Sequence, residues 1–202
     1  MSKPVRIEEA SPHSRVGAKL NIMAIESMAK TIVGSDDPAT IEETMRRLWE
    51  GTNNRFSHEF AYEAKAGNKT LGMVTCYPTS VMNQLVLPTA KQILQIRRFE
   101  MIKYAVKNVR PLYAMMTMEE GKKDEFHIGA IALLPESRGL GIGEMLLDYA
   151  EACAKERSFT KLSLTVRENN PRAKQLYERL GYQVVGKIDR GSFKLSRMVK
   201  TV

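Results

Sequence analysis

Apolar residues along the 202-residue chain recur with two periods, and the switches between the periods mark out its elements. Val5–Glu9 alternates as a short strand. Behind it, Ser11-Pro12 is a cap-and-first-turn signal for a helix whose apolar face is Val16, Leu20, Met23, Ala24 and Met28. Asp37-Pro38 opens a second helix, with Ile41, Thr44, Met45, Leu48 and Trp49 on one stripe. Residues 58–65 and 70–77 read as strands of a hairpin turning at Ala66-Gly67-Asn68-Lys69. Beyond Pro88, the spacing of Ile93, Ile96, Phe99, Ile102 and Val106 predicts a helical insertion at about 80–111. Its first reading is a cover over the core, and its second a lid. Residues 113–118 read as extended and 124–134 as a strand. The rest follows as a helix from Ile142 to Cys153, a strand at 161–166, a helix from Asn170-Pro171 to Gly181, and a closing hairpin of 182–188 with 192–199.

Composition narrows the class. At 43% hydrophobic and 27% charged residues, the chain has the make-up of a folded protein, and its length suits one domain over 1–202. No apolar run approaches the length of a membrane span, and Met1-Ser2-Lys3-Pro4-Val5 lacks the apolar core of an export signal, so a cytoplasmic location is expected. Cys76 and Cys153 show no pairing pattern, and with His13, His58 and His127 they show no metal-ligand spacing, so neither a disulfide scaffold nor a metal site is expected. The net charge of +8 is spread in singles and pairs rather than gathered in a basic arm. An anionic small molecule explains that excess as well as a nucleic acid does, and the lack of an aromatic-basic interleaved motif counts against the nucleic acid.

One segment can bind such an anion. The strand ending at Leu133-Leu134-Pro135 runs through Glu136-Ser137-Arg138 into Gly139, Gly141 and Gly143, which alternate with Leu140 and Ile142 and lead directly into an amphipathic helix. Glycines let the backbone turn tightly, and the unpaired amides of a first helical turn point at a bound anion, a diphosphate above all. The plain alternative is a tight turn with nothing bound. A dinucleotide fingerprint fails because its third glycine would fall on Glu144, and a nucleoside-triphosphate loop fails because Glu144 and Met145 stand where it needs Lys and a hydroxyl.

The remaining pattern, Arg138-x-x-Gly141-x-Gly143, resembles the pyrophosphate-binding motif of the GNAT superfamily of acyl-CoA N-acyltransferases. The stretch from Asn170 through Ala173 and Tyr177 to Gly181-Tyr182 resembles that family's second block, and the likeness spans about a third of the chain, from Glu125 to about Lys187. It implies an α/β (α+β) fold: a mixed, mostly antiparallel twisted sheet with splayed central strands and helices on both faces. It implies acetyl-CoA as co-substrate, an amine-bearing small molecule or peptide as acceptor, and direct attack in a ternary complex. A homodimer is left open. Ile131, Ala132 and Leu133 would pair with the pantetheine arm, Arg138, Gly139, Leu140, Gly141, Ile142 and Gly143 would cradle the diphosphate, and Asn170 and Tyr177 would flank the cofactor.

The chemistry needs a base for the amine and an acid for the leaving thiolate. Glu125 is the first candidate base, at a position where some members of the family carry a carboxylate, and its alternative reading is a solvated turn residue beside Lys122 and Lys123. His127 is the second, since strand alternation predicts Glu125, His127, Gly129 and Ile131 on one face, and its alternative is a hydrogen-bonded structural histidine. Tyr177 resembles the family's acid, against simple packing beside Ala173 and Leu180. Asn170 reads first as a helix cap and second as a ligand. Met115, Met116 and Met118 are core filling or the wall of an apolar pocket. A competing function is a sensor of the same fold that binds acyl-CoA without turnover.

Overall fold

The computed structural model describes residues 4–191 and 193–202. β1 (Val5–Glu9), β2 (Ala61–Ala66), β3 (Lys69–Pro78), β4 (Phe126–Leu133), β5 (Lys161–Arg167), β6 (Gln183–Arg190) and β7 (Phe193–Thr201) form one sheet in the order β1-β2-β3-β4-β5-β7-β6. Neighbours are antiparallel except β4 and β5. That parallel pair registers only Phe126–Ile128 against Leu162–Leu164. Past Ile128 and Leu164 the two strands part, and the main-chain groups on the facing edges are free to meet something else. Ser192, the expected first residue of the last strand, and Met1–Lys3 of the leader reading lie outside the described residues.

Helices cover both faces. α8 (Ile142–Glu156) brings Leu146, Ala150 and Cys153 onto Val74, Phe126, Ile128, Leu162 and Met198, the larger core cluster. On the other face α1 (Gly17–Ile25) and α3 (Pro38–Glu50) pack Leu20 and Trp49 over Met73, Ala130 and Ala132. α3 begins where the sequence predicts: Pro38 holds the first helical φ, and the Asp37 carboxylate accepts a 2.9 Å hydrogen bond from the Thr40 amide. The N-terminal helix differs from expectation. Ser11-Pro12 makes an isolated turn, the Ser11 hydroxyl accepting from the His13 amide at 3.1 Å and its carbonyl from the Ser14 amide at 3.0 Å, and α1 starts only at Gly17. It then breaks at Glu26, whose φ of 49° is left-handed, before α2 (Met28–Val33). The single predicted apolar stripe from Val16 to Met28 therefore belongs to two helices. Residues 58–60 form a 3₁₀ turn, so β2 begins at Ala61.

The largest departure is between β3 and β4. A chain of helices fills it: α4 (Thr79–Gln84), α5 (Val86–Arg97), α6 (Phe99–Lys107) and α7 (Val109–Met116). Residues 113–116 are thus the end of a helix rather than extended. Nor are α6 and α7 a core cover, because neither buries a side chain. Their apolar residues stay partly in water, as do Ile102 at 47% and Val106 at 74% exposure. Side chains of that kind wall a cleft instead of sealing a core.

Candidate active site

β4 leads to the glycine turn. Leu134 donates to the Leu71 carbonyl at 2.9 Å, the 3₁₀ turn Pro135–Ser137 follows, and Arg138 enters the glycines. Gly139 and Gly141 have φ of 77° and 75°, and a Cβ at either would meet no atom within 4 Å. What these positions take from glycine is the left-handed backbone rather than room. Gly141 immediately precedes α8, whose first-turn amides have no helical partner and present partial positive charge.

A groove of about 860 Å³ runs over this turn. Ile131, Ala132 and Leu133 of β4 line it, as do Arg138, Gly139, Gly141, Ile142 and Gly143 of the cradle, with Asn170 and Tyr177 across from them. Leu140 does not, its side chain being 65% exposed on the outside of the turn. Two cations that the motif reading did not include, Arg172 and Arg179 of α9 (Pro171–Arg179), also line the groove. Their place on the groove side could have been read from the helical period.

A second cavity, of about 580 Å³, lies between the sheet and the helices α5 to α7. The two cavities meet, sharing Met23, Glu26, Ile131, Asn170, Ala173 and Tyr177. Tyr177 is 6% exposed, and its hydroxyl makes no hydrogen bond to any described residue; burial pushes its pKa up to about 12, so it carries its proton at neutral pH. Asn170 caps α9 by accepting from the Ala173 amide at 3.2 Å while its side chain borders both cavities.

The expected face of β4 is corrected by a bulge. Thr75 registers with Ala130 and Cys76 with Ile128, which leaves Gly129 as the extra residue. The bulge inverts the alternation. Phe126 and Ile128 before it share the α8-side cluster with Ile131 and Leu133 after it, while Ala130 and Ala132 face α1. His127 and Ile131 therefore point to opposite faces, not to one. A Cβ at Gly129 would fall 2.2 Å from the Tyr77 hydroxyl, so this glycine is required by close approach.

Glu125 and His127 line neither cavity. Glu125 is buried, its Oε1 paired with Arg197 and its Oε2 accepting from the Lys122 amide at 2.9 Å. Burial pushes its pKa up, but the Arg197 and amide bonds prevail and hold it below the usual value. It is a clamp between the β4 entry and β7. Two carboxylates reach the second cavity: Glu26, paired with Arg167 at 3.4 Å, and Glu120, 9% exposed. Glu120 is the buried one. Its Oε1 accepts from Arg55 Nη2 at 2.7 Å, and its Oε2 lies 4.0 Å from His127 Nε2. Burial raises its pKa, yet Arg55 and then His127 outweigh that, so it is lower than normal and ionised at neutral pH. His127 is fully buried, and burial first of all brings its pKa down to about 4. The Ser163 hydroxyl lies 3.0 Å from its Nδ1. The same hydroxyl lies 3.4 Å from the Phe126 carbonyl, to which it donates. Arg55 and Tyr77 also line the cavity, so Glu120 sits in a compact polar cluster, apart from the Glu26, Thr165, Arg167 and Asn170 that line it elsewhere.

A sheet splayed beside a helix N-terminal cradle, with a second cavity opening onto the split, is the layout of an acyl-CoA-dependent transferase fold. The chain belongs to the acetyltransferase (GNAT) family, whose model matches residues 25–182. It is similar to the naa20 catalytic subunit of the N-terminal acetyltransferase B complex of Schizosaccharomyces pombe, 34% identical over 68 residues that make up 34% of this chain and 38% of that protein. The matched stretches span 38 to 42% of the length of the curated relatives. Among solved structures, an N-acetyltransferase from Staphylococcus aureus Mu50 superposes with a TM-score of 0.74 at 22% identity, over 96% of this chain and 99% of the other. A GNAT family acetyltransferase from Elizabethkingia anophelis with acetyl-CoA bound superposes with a TM-score of 0.51 at 14% identity, over 98% of each chain. No described helix is long and apolar enough to cross a membrane.

Proposed function

We propose that this protein, acting as one domain, transfers an acetyl group from acetyl-CoA to a primary amine by direct attack in a ternary complex. The observation that carries this reading is the meeting of the glycine-cradle groove with the second cavity at Ile131, Asn170 and Tyr177. The cradle amides and Arg138, Arg172 and Arg179 hold the diphosphate, and the free edge of β4 from Gly129 to Leu133 pairs with the pantetheine amides. The thioester then lies at the junction, where an amide of that edge polarises its carbonyl. The amine approaches from the second cavity. As its nitrogen bonds to the carbonyl carbon, the N–H becomes strongly acidic and passes its proton to Glu120, which replaces Glu125 as the base. Collapse breaks the C–S bond, and the Tyr177 hydroxyl protonates the departing sulfur. Both cysteines are buried in the α8-side cluster and line neither cavity, which supports transfer without an acetylated thiol.

A thiolate is a fair leaving group, since its conjugate acid has a pKa of roughly 8.5, so acid assistance is worth less than the base. Tyr177→Phe is expected to lower kcat by about tenfold to a hundredfold while leaving the acetyl-CoA dissociation constant within about twofold. Steady-state rates of CoA thiol release, set beside calorimetric binding, check this. Unchanged kcat removes Tyr177 from the chemistry.

A further inference from the structure

Resting on the transferase reading, we propose that the acceptor is a small amine carried on an elongated apolar body, with the amine at Glu120 and the body along α5 to α7. The lining of the second cavity divides sharply. Toward the junction it is polar: Glu26, paired with Arg167, and Asn170 stand at the junction, and Arg55, Tyr77 and Glu120 stand together beyond it, with the Tyr77 hydroxyl against Gly129, about 7 Å along β4 from Ile131. Away from the junction it is a wall of Ile93, Leu94, Ile102, Val106, Met115 and Met116. Four of these are large apolar side chains left in water: Leu94 at 43%, Ile102 at 47%, Val106 at 74% and Met116 at 51% exposure. Each faces the cavity, so an apolar body lying there removes them from water in one step. Methionines adapt such a wall to bodies of different shape.

The same lining disfavours two other acceptors. A peptide would bring an N–H and a C=O per residue onto a wall with few partners for them. A polyamine would bring further cations next to Arg55, where Glu120 is already paired, and the other carboxylate of the lining, Glu26, is taken by Arg167 at 3.4 Å. One charge at one end and carbon behind it is the chemistry this cavity fits.

The test is a series of n-alkylamines from ethylamine to decylamine with acetyl-CoA, read by thiol release and product mass, beside ethanolamine, spermidine and a peptide beginning with alanine. The expected result is a kcat/KM that climbs about threefold to fourfold per methylene until the cavity is full, with the three polar acceptors at the bottom of the scale. Ala105→Trp, on the α6 wall, is expected to flatten the climb while the thermal shift by acetyl-CoA is retained. A flat series, or the peptide or spermidine outrunning octylamine, overturns the apolar-amine assignment and leaves the transferase reading standing. Thiol release from no amine, in protein that acetyl-CoA still stabilises, overturns the transferase reading and this inference with it.

Discussion

Glu120→Gln is expected to lower kcat by about a hundredfold or more with an apolar amine, and to do so without loss of acetyl-CoA binding. The substitution keeps the side-chain volume and an oxygen for Arg55 to donate to, but it removes the lone pair that takes the proton from the attacking nitrogen. The pH profile distinguishes this from simple disturbance of the pocket. Because Arg55 and His127 outweigh burial and hold the Glu120 carboxyl below its ordinary value, the group is ionised at neutral pH and above, and the wild type owes none of its pH dependence there to Glu120. Its kcat/KM rises only with the fraction of free amine. In the variant the proton must go to bulk base, so the rise becomes steeper and continues past the amine pKa. A profile merely scaled down, with its shape intact, places Glu120 in the architecture alone. Arg55 is mostly shielded from water and loses its anionic partner in this variant, so a lower Tm accompanies the kinetic change.

Gly141→Glu is expected to abolish the response to acetyl-CoA. At a ligand concentration of roughly a hundred times its dissociation constant, binding stabilises a protein by about 2.7 kcal/mol. For a chain of this size that raises Tm by about 5 to 10 °C. In the variant a carboxylate projects over the first-turn amides of α8, where the diphosphate belongs, and repulsion replaces the most favourable contact of the groove. The unliganded fold has room for the side chain, since nothing lies within 4 Å of a Cβ there, and pays chiefly the strain of a φ of 75°. Gly141→Ala carries the same strain without the charge and is the control, with a reduced but measurable shift. An unaltered shift in Gly141→Glu refutes the cradle.

The donor side of the molecule was legible in the sequence because its requirements are local. Gly139 and Gly141 mark left-handed backbone, the stripe from Ile142 to Cys153 marks the helix that supplies the amides, and Asn170-Pro171 marks the start of the helix that carries Tyr177. The acceptor side was not, because its requirements join distant residues. Glu120 stands in a run of charges that reads as a solvated turn, and it is buried only because Arg55, 65 residues earlier, arrives to pair with it. Glu125 has the composition of a base and the position of one, yet Arg197, 72 residues later, takes its carboxylate. The bulge at Gly129 defeats a period-two reading of β4, since one extra residue exchanges the faces of everything after it. The helices from 79 to 116 present apolar stripes that a period detects, but whether a stripe faces a core or a cleft depends on what packs opposite.

Acetyl-CoA and amine are expected to occupy their two cavities together and to react where these meet at Tyr177. Initial velocities with acetyl-CoA and octylamine varied against each other, with intact-protein mass after acetyl-CoA alone, test that directly. Intersecting double-reciprocal lines and no acetyl adduct on the protein are the predicted result. Parallel lines with an acetylated enzyme would contradict it.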